Sequence, residues 1–408
     1  ALAYSRVGRR DTVNGDIGED YEEFVEECAS GYAADGTALD ADCDVARADA
    51  DTLPTGALNT TQMRQEAQGV AVNVSKQWGA HALSTGATFD RGHVRYQQFA
   101  REGWVQPDRS VAADPDAERA FFSGVRGSTK TLGVFVADTW ALDAATHLTA
   151  AVRWNHVTVD NILSTAEDGD RPRERFVYAK ANPSLGLTHR LHEGLTVYGS
   201  VAQNSRAPTA IELGCADPTQ PCRLPTGLQA DPRLEQIISR TYELGARWAP
   251  SQDSDVTLSV YRADNRDDIL FLRAPDTQLG YFDNVGRTRY QGADAAMRFQ
   301  AGAWQWSAGY SYPDATYRSD GELLSGERVI TLRPGLRIAA LPRHNLKLGV
   351  EWQGDALTLG AGLRAVSGRV ASGNEDGQVD NAEDGEPAPE RIDIGTAGYA
   401  LVDLQARW

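Results

Sequence analysis

Two kinds of residue cluster in this chain could do chemistry. The four cysteines fall as two close pairs, Cys28 with Cys43 and Cys215 with Cys222, each in polar sequence. Zinc sites use tighter spacings with histidine at hand, and none of the seven histidines lies in either stretch, so the pairs read as disulfides. Disulfides in turn imply an oxidising compartment. The second cluster is acidic. Asp40, Asp42, Asp44 and Asp51 match carboxylate positions of a calcium loop, but Val45 stands where the tight turn requires glycine. A second stretch, GNEDGQVDNAEDG at 373–385, has carboxylates that could hold a divalent ion. Solvated loop is the reading favoured for both, and no resident metal or cofactor is expected.

Catalytic signatures are missing. The sequence has no G-x-S-x-G elbow, no H-E-x-x-H pair, no phosphate-binding G-x-x-x-x-G-K-[ST] loop and no G-x-G-x-x-G following a strand. His189 and His192 flank a short turn and read as surface residues. The expectation is a protein that is not an enzyme.

Charge is concentrated. Residues 10–63 carry fourteen Asp or Glu against Arg10 and Arg47, and residues 373–396 carry eight against Arg391 alone. These two lobes account for the formal net charge of −17 and leave a nearly neutral body. That balance argues against a nucleic-acid partner, which would need a basic face.

The elements that must position these groups repeat with a period of two. In TYELGARWA, Tyr242, Leu244, Ala246 and Trp248 alternate with Thr241, Glu243, Gly245 and Arg247. In NLKLGVEWQ, Leu346, Leu348, Val350 and Trp352 alternate with polar or small residues. Such alternation marks strands with one apolar and one polar face. About fourteen segments show it, near 1–9, 64–78, 81–100, 129–142, 145–162, 176–190, 194–206, 238–249, 254–274, 283–301, 303–318, 340–353, 356–372 and 397–408. Many are far longer than the five or six residues of a typical soluble strand.

The connections sort by length. Short turns at 79–80, 143–145, 192–194, 250–253, 302 and 354–355 alternate with long polar segments at 10–63, 101–128, 163–175, 207–237, 275–282, 319–339 and 373–396. Short turns on one rim and long loops on the other are the pattern of an antiparallel transmembrane β-barrel. Trp78, Trp140, Trp248, Trp304 and Trp352 all lie within three residues of a short turn, where indoles can rest at a membrane interface. No apolar run of eighteen residues exists, so no transmembrane helix is expected, and the N-terminal residues do not read as a signal peptide.

Residues 182–225, NPSLGLTHRLHEGLTVYGSVAQNSRAPTAIELGCADPTQPCRLP, with ADPRLEQIISRTYELGARW at 230–248, resemble the barrel of TonB-dependent outer-membrane receptors. GVFVADTWAL (133–142), DNVGRTRYQGADA (283–295), LPRHNLKLG (341–349) and GYALVDLQARW (398–408) extend the resemblance in order along the chain. It implies one all-β domain over 1–408, a portion of a 22-stranded barrel without the family's N-terminal plug and last strands, with 10–63 and 373–396 as acidic extracellular loops. The rival is a complete fourteen-stranded barrel.

By the same resemblance, the whole protein sits in the outer membrane of a Gram-negative bacterium. It takes up a scarce solute, a ferric siderophore first among the classes, with energy from the TonB–ExbB–ExbD complex acting through the plug. Outer-membrane lipid or lipopolysaccharide is its surroundings. The alternatives are a passive diffusion channel and an adhesive or structural surface barrel. Ligand contacts are expected from loop aromatics and arginines at the lumen mouth, namely Arg101, Trp104, Arg223, Phe271, Arg273, Tyr281 and Phe282. Arg206 and Glu212 flank the R-x-P-T-x-x-E-L motif and are expected to pair as positioning residues. The Cys215–Cys222 and Cys28–Cys43 bonds would restrain two loops that have no core of their own.

Overall fold

A computed structural model describes residues 1–18, 55–106, 108, 110–166, 169–214, 222–223, 234–273, 279–325, 328–371 and 395–408. Fourteen wall strands follow one another in a single antiparallel meander. They are β1 (Leu2–Ile17), β2 (Gly56–Trp78), β3 (His81–Val105), β4 (Ala120–Ala141), β5 (Thr146–Thr165), β6 (Glu174–His192) and β7 (Leu195–Arg206), then β8 (Ile237–Ser251), β9 (Ser254–Arg266), β10 (Arg287–Ala301), β11 (Trp304–Tyr317), β12 (Asn345–Gln353), β13 (Thr358–Val366) and β14 (Tyr399–Arg407). Val111–Ala113 and Gly169–Asp170 add short strands to β3 and β5. Among the described residues β1 and β14 do not pair with each other.

The expected short turns are present, and two of them need glycine. Gly79 (φ 58°) and Gly302 (φ 57°) occupy the left-handed region that tight hairpins require, where a Cβ would be strained. The wall strands outrun their expected bounds at the other rim. β1 continues through 10–17, β2 begins at Gly56 and β4 begins at Ala120, all in sequence expected to be loop. β2 and β3 hold 23 and 25 residues, against about 9–11 needed to cross a bilayer, so they project well past one surface. Beyond the hydrocarbon nothing demands an apolar face, which is why the alternation fades there while the ladder continues.

Register gathers the apolar side chains on one face. Val70 pairs with Phe89 and Phe89 with Leu132, while Val134 faces Trp154 and Val136 faces Val152. Farther round, Leu244 pairs with Val260, Phe299 with Trp306, Trp306 with Val350, and Ala361 with Leu404. These residues are not packed into a core: Leu244 is 64% exposed and Val260 53%. All five turn-proximal tryptophans share that face, and Trp78, Trp140, Trp248 and Trp304 are exposed on it. The opposite face is polar and internally bonded. Tyr4 donates to Asp90 (2.7 Å), Arg153 to Thr88 and Asn155 (2.8 Å each), and Tyr198 to Glu243 (3.1 Å).

Among the described residues the buried hydrophobic clusters lie at the long-loop end. Val159, Tyr178, Ala210, Leu213, Leu234, Ile237 and Ile269 form one cluster, and Tyr96, Val125 and Leu163 a second. A third joins Val285, Ala315 and Tyr317 to Ile330, Leu332 and Ile338. In each, segments from the connections fold against the strand ends. The wall strands contribute to the first two clusters from the polar face, which identifies that face as the lumen side.

Two expected strands were too long. The segments 254–274 and 283–301 each divide where the hairpin bends away from the wall, at Asp267 (φ 55°) and Gly286 (φ 71°). The Asp267 N–H donates to the Gly286 carbonyl (2.7 Å) across the bend, and beyond it Ile269–Arg273 and Leu279–Asn284 form a separate hairpin.

Candidate functional site

The site lies at the long-loop end of the lumen face and is built on two supports. The first is the short helix Ala210–Gly214, which follows β7. Thr209 and Glu212 form a reciprocal cap: the Glu212 N–H donates to Thr209 Oγ1 (3.1 Å) and the Thr209 N–H to Glu212 Oε2 (2.7 Å). Arg206, the last residue of β7, grips the same carboxylate with both terminal nitrogens at 2.7 and 2.9 Å. The expected Arg206–Glu212 pair is therefore present, and its work is to fix the helix to the strand end. Burial pushes the Glu212 carboxyl up, but the Arg206 guanidinium and the Thr209 N–H outweigh it and hold the carboxyl below its ordinary range.

The wall receives the helix through groups of matching size and polarity. Asn161 Nδ2 donates to the Ala210 carbonyl (2.7 Å), and the Tyr178 hydroxyl donates to the Leu234 carbonyl (2.9 Å). Gly127 leaves the space that Ala210 fills, since a Cβ there would stand 2.4 Å from the Ala210 Cβ. Leu213 is 2% exposed beneath the helix.

The second support is the bent hairpin. Asp268 is buried at its root, accepting from Thr288 Oγ1 (2.5 Å), Asn265 Nδ2 (3.2 Å) and the Ile269 N–H (3.2 Å). Asn284 donates to the Asp267 carbonyl (2.8 Å) and the Glu235 carbonyl (3.3 Å), and accepts from the Glu235 N–H (2.8 Å). The neighbouring Asp283 carboxyl is pushed up by burial, partly offset by the Asn284 N–H.

Five of the seven residues expected to touch ligand meet on the sheet that this hairpin starts. Phe271 pairs with Phe282, Leu272 with Tyr281, and Arg273 with Gly280, while Cys222–Arg223 adds a third strand with Arg223 opposite Leu279. Segments about sixty residues apart in sequence are thus joined edge to edge, which no local pattern announces. Arg101 and Trp104 are not part of this sheet. Both lie at the end of β3, where Trp104 pairs with Ala112 and Arg101 Nη2 donates to the Pro115 carbonyl (3.1 Å). Alternation along β3 puts Trp104 on the lumen row and Arg101 on the outward row with Phe99. Cys28, Cys43 and Cys215, the acidic run 40–51 and the stretch 373–385 lie outside the described residues, as does the side chain of Cys222.

A polar lumen row was not anticipated. Thr61, Gln98, Ser123 and Thr165 stand opposite one another on four successive strands, all buried. Neither amide atom of Gln98 has a hydrogen-bond partner, and neither does Ser123 Oγ. Buried polar groups in that state want water or a solute. Thr61, Ser123 and Thr165 all fall in segments expected to be loop, so only the observed strand extension reveals the row.

A family model described as the β-barrel of TonB-dependent receptors matches residues 8–408. No curated protein matches the sequence. Among solved structures, the ferric yersiniabactin uptake receptor of Yersinia pestis aligns with a TM-score of 0.58 at 15% identity, over 86% of this chain and 48% of its own. The ferric-catecholate import receptor of E. coli K12 gives 0.59 at 16% identity, over 86% and 49%. A copper transporter, OprC, gives 0.58 at 15% identity, over 86% and 48%. The chain therefore spans about half the length of these structures. Its meander of long strands, sorted turns and single apolar face belongs to the TonB-dependent receptor family, as part of that family's outer-membrane β-barrel.

Proposed function

We propose that the chain forms barrel wall and mouth of an outer-membrane active-transport receptor that takes up a ferric siderophore with energy supplied through TonB. The observation that carries this reading is the mouth sheet, which collects Arg223, Phe271, Arg273, Tyr281 and Phe282 at one end of a polar lumen. Ferric siderophores are large, oxygen-rich and commonly anionic, so aromatic surface and guanidinium groups suit them. Two of the matched structures are named as a ferric yersiniabactin uptake receptor and a ferric-catecholate import receptor, and a third as a siderophore receptor, which supports the class, while the copper transporter keeps a metal cargo of another kind in view. The helix is seated on the strand end by Arg206 and Glu212 and on the wall by Asn161.

The test is uptake of radiolabelled ferric siderophores by iron-limited cells carrying or lacking the full-length gene, with and without an uncoupler. Gene-dependent uptake abolished by the uncoupler supports the reading. Gene-dependent uptake indifferent to the uncoupler, with ion conductance of the purified protein in a planar bilayer, would establish the passive channel instead.

A further inference from the structure

The lumen face carries a repeated contact that no local motif announces. Tyr4 stands directly opposite Gly69, Phe135 opposite Gly86, Tyr198 opposite Gly245 and Tyr261 opposite Gly292. Their strand neighbours Val70, Val136, Leu244 and Val260 are exposed on the outward apolar face, so the pairs lie at the level of the hydrocarbon. Among the described residues, these four are the tyrosines and phenylalanines on the lumen face of β1–β10 below the buried clusters. Each has glycine as a cross-strand partner.

Every one of these glycines is a seat. A Cβ on Gly245 would stand 2.4 Å from Tyr198 Cζ and 2.7 Å from its Cε1. One on Gly69 would stand 2.5 Å from Tyr4 Cε1, one on Gly86 2.6 Å from Phe135 Cε1, and one on Gly292 2.8 Å from the Tyr261 hydroxyl. The rings therefore lie flat on the backbone of the next strand instead of standing into the lumen. A charged side chain does the same: Arg153 lies over Gly133, where a Cβ would be 2.8 Å from its Cζ.

The polar tips are tied down as well. The Tyr4 hydroxyl donates to Asp90, that of Tyr198 to Glu243 with the Arg247 guanidinium 5.3 Å from the ring centre, and Arg153 donates to Thr88 and Asn155. Farther round the same face a cleft of about 470 Å³ opens over Ser307, Gly349 and Gly362, which carry no long side chain. An aromatic ring laid on glycine restores contacts that the glycine lacks, and that alone would stabilise a sheet. Two facts go beyond it. Arg153 brings no ring, yet it lies over glycine too. Tying each tip to the wall also leaves it unable to grip a solute. Both make the wall low and non-adhesive.

We propose that Gly69, Gly86, Gly133, Gly245 and Gly292 are clearance residues for transport. By keeping long side chains flat, they set the width of the passage along the lumen wall and so the bulk of the solute that passes. The proposal rests on the uptake reading above, but not on which siderophore is carried.

Gly245 gives the cleanest test, since the three atoms nearest its added Cβ all belong to Tyr198. Gly245→Ala should lift the ring into the lumen, and the double variant G245A/Y198S removes the lifted ring. The full-length receptor is expressed in iron-limited cells. The probes are a radiolabelled ferric siderophore that wild type takes up and the same siderophore bearing a fluorophore. In G245A the maximal uptake rate is expected to fall about tenfold, the equivalent of about 1.4 kcal/mol of overpacking against the passing solute, with binding at the mouth unchanged. The fluorophore-bearing form should lose more than the bare one, and G245A/Y198S should restore both. Normal uptake in G245A overturns the proposal. So does a loss that is equal for the two probes or that Y198S does not restore, which marks the pair as a structural contact only. If G245A does not reach the membrane, Glu243→Ala frees the tyrosine tip without adding an atom. Selective slowing of the larger probe in E243A then supports the proposal, and uptake equal to wild type overturns it. Wild-type cells that take up no ferric siderophore refute the uptake reading itself, whereas uptake indifferent to these substitutions refutes this inference alone.

Discussion

Replacing Gly127 by alanine should unseat the helix from the wall while leaving the wall intact. The added Cβ would lie 2.4 Å from the Ala210 Cβ and 3.0 Å from both Asn161 Oδ1 and Val94 Cγ1. Two of those neighbours cannot swing away, because Ala210 is rooted in the helix backbone and Asn161 is bonded to the Ala210 carbonyl. Overpacking of this kind costs about 1–3 kcal/mol. The helix is held by burial of Leu213, about 1.5–3 kcal/mol, and by the Asn161 hydrogen bond, about 1 kcal/mol. The clash thus offsets much of the contact with the wall, while the Arg206–Glu212 pair still ties the helix to the strand end and the β4 ladders on both sides remain. Hydrogen exchange on the full-length receptor should show residues 207–214 losing protection by roughly tenfold or more, with β4 and β5 unchanged. Equal protection in G127A and wild type would refute the claim that Gly127 makes the seat.

Further outcomes follow from other parts of the site. Glu212→Gln removes the bidentate partner of Arg206, and should loosen the same segment by about 1–3 kcal/mol without preventing assembly. Because the Glu212 carboxyl is held below its ordinary value, its contribution is complete above the unfolded value of about 4.3 and is lost as the pH falls through the lowered folded value. Protection of 207–214 in wild type should therefore fall on acidification, and in E212Q it should be flat through that window. Leu244→Arg places a charge on the exposed apolar face and should destabilise the protein by about 2–4 kcal/mol in lipid bilayers, as read from urea unfolding in vesicles. Paired substitution of Phe271 and Phe282 by alanine should depress siderophore uptake without lowering the amount of receptor in the membrane; unchanged uptake would remove the mouth sheet from the binding site. Non-reducing mass spectrometry should find Cys215 joined to Cys222 and Cys28 to Cys43.

Much of the wall could be read from the sequence because a bilayer imposes a chemical rule on every second residue. The alternation in 241–248 and 345–352 put β8 and β12 in place, and each of the fourteen expected segments corresponds to a wall strand in order. The reading weakened where lipid no longer acts. NTTQM at 59–63 has no apolar period and is expected as loop, yet it continues β2, because its ladder partners in β1 and β3 need pairing at any height. The bends at Asp267 and Gly286 were also hidden, since Ile269–Arg273 carries the same strand-forming composition as the wall it leaves. Of the site, the motif around Arg206 and Glu212 was legible as a pair because its spacing is local. The joining of Arg223 to the 279–284 strand and the Gln98–Ser123 row depend on register between distant segments. Composition contains no register.

The central claim is that one face of this sheet meets lipid and the other a wet lumen. Its most direct test is nitroxide scanning of residues 132–138 in β4 of the full-length receptor in vesicles, comparing collisions with oxygen and with a water-soluble nickel chelate. The account predicts a strict period of two, with Leu132, Val134 and Val136 favouring oxygen and Gly133, Phe135 and Ala137 favouring the chelate. Equal access of the chelate to both sets, or no alternation at all, would contradict it.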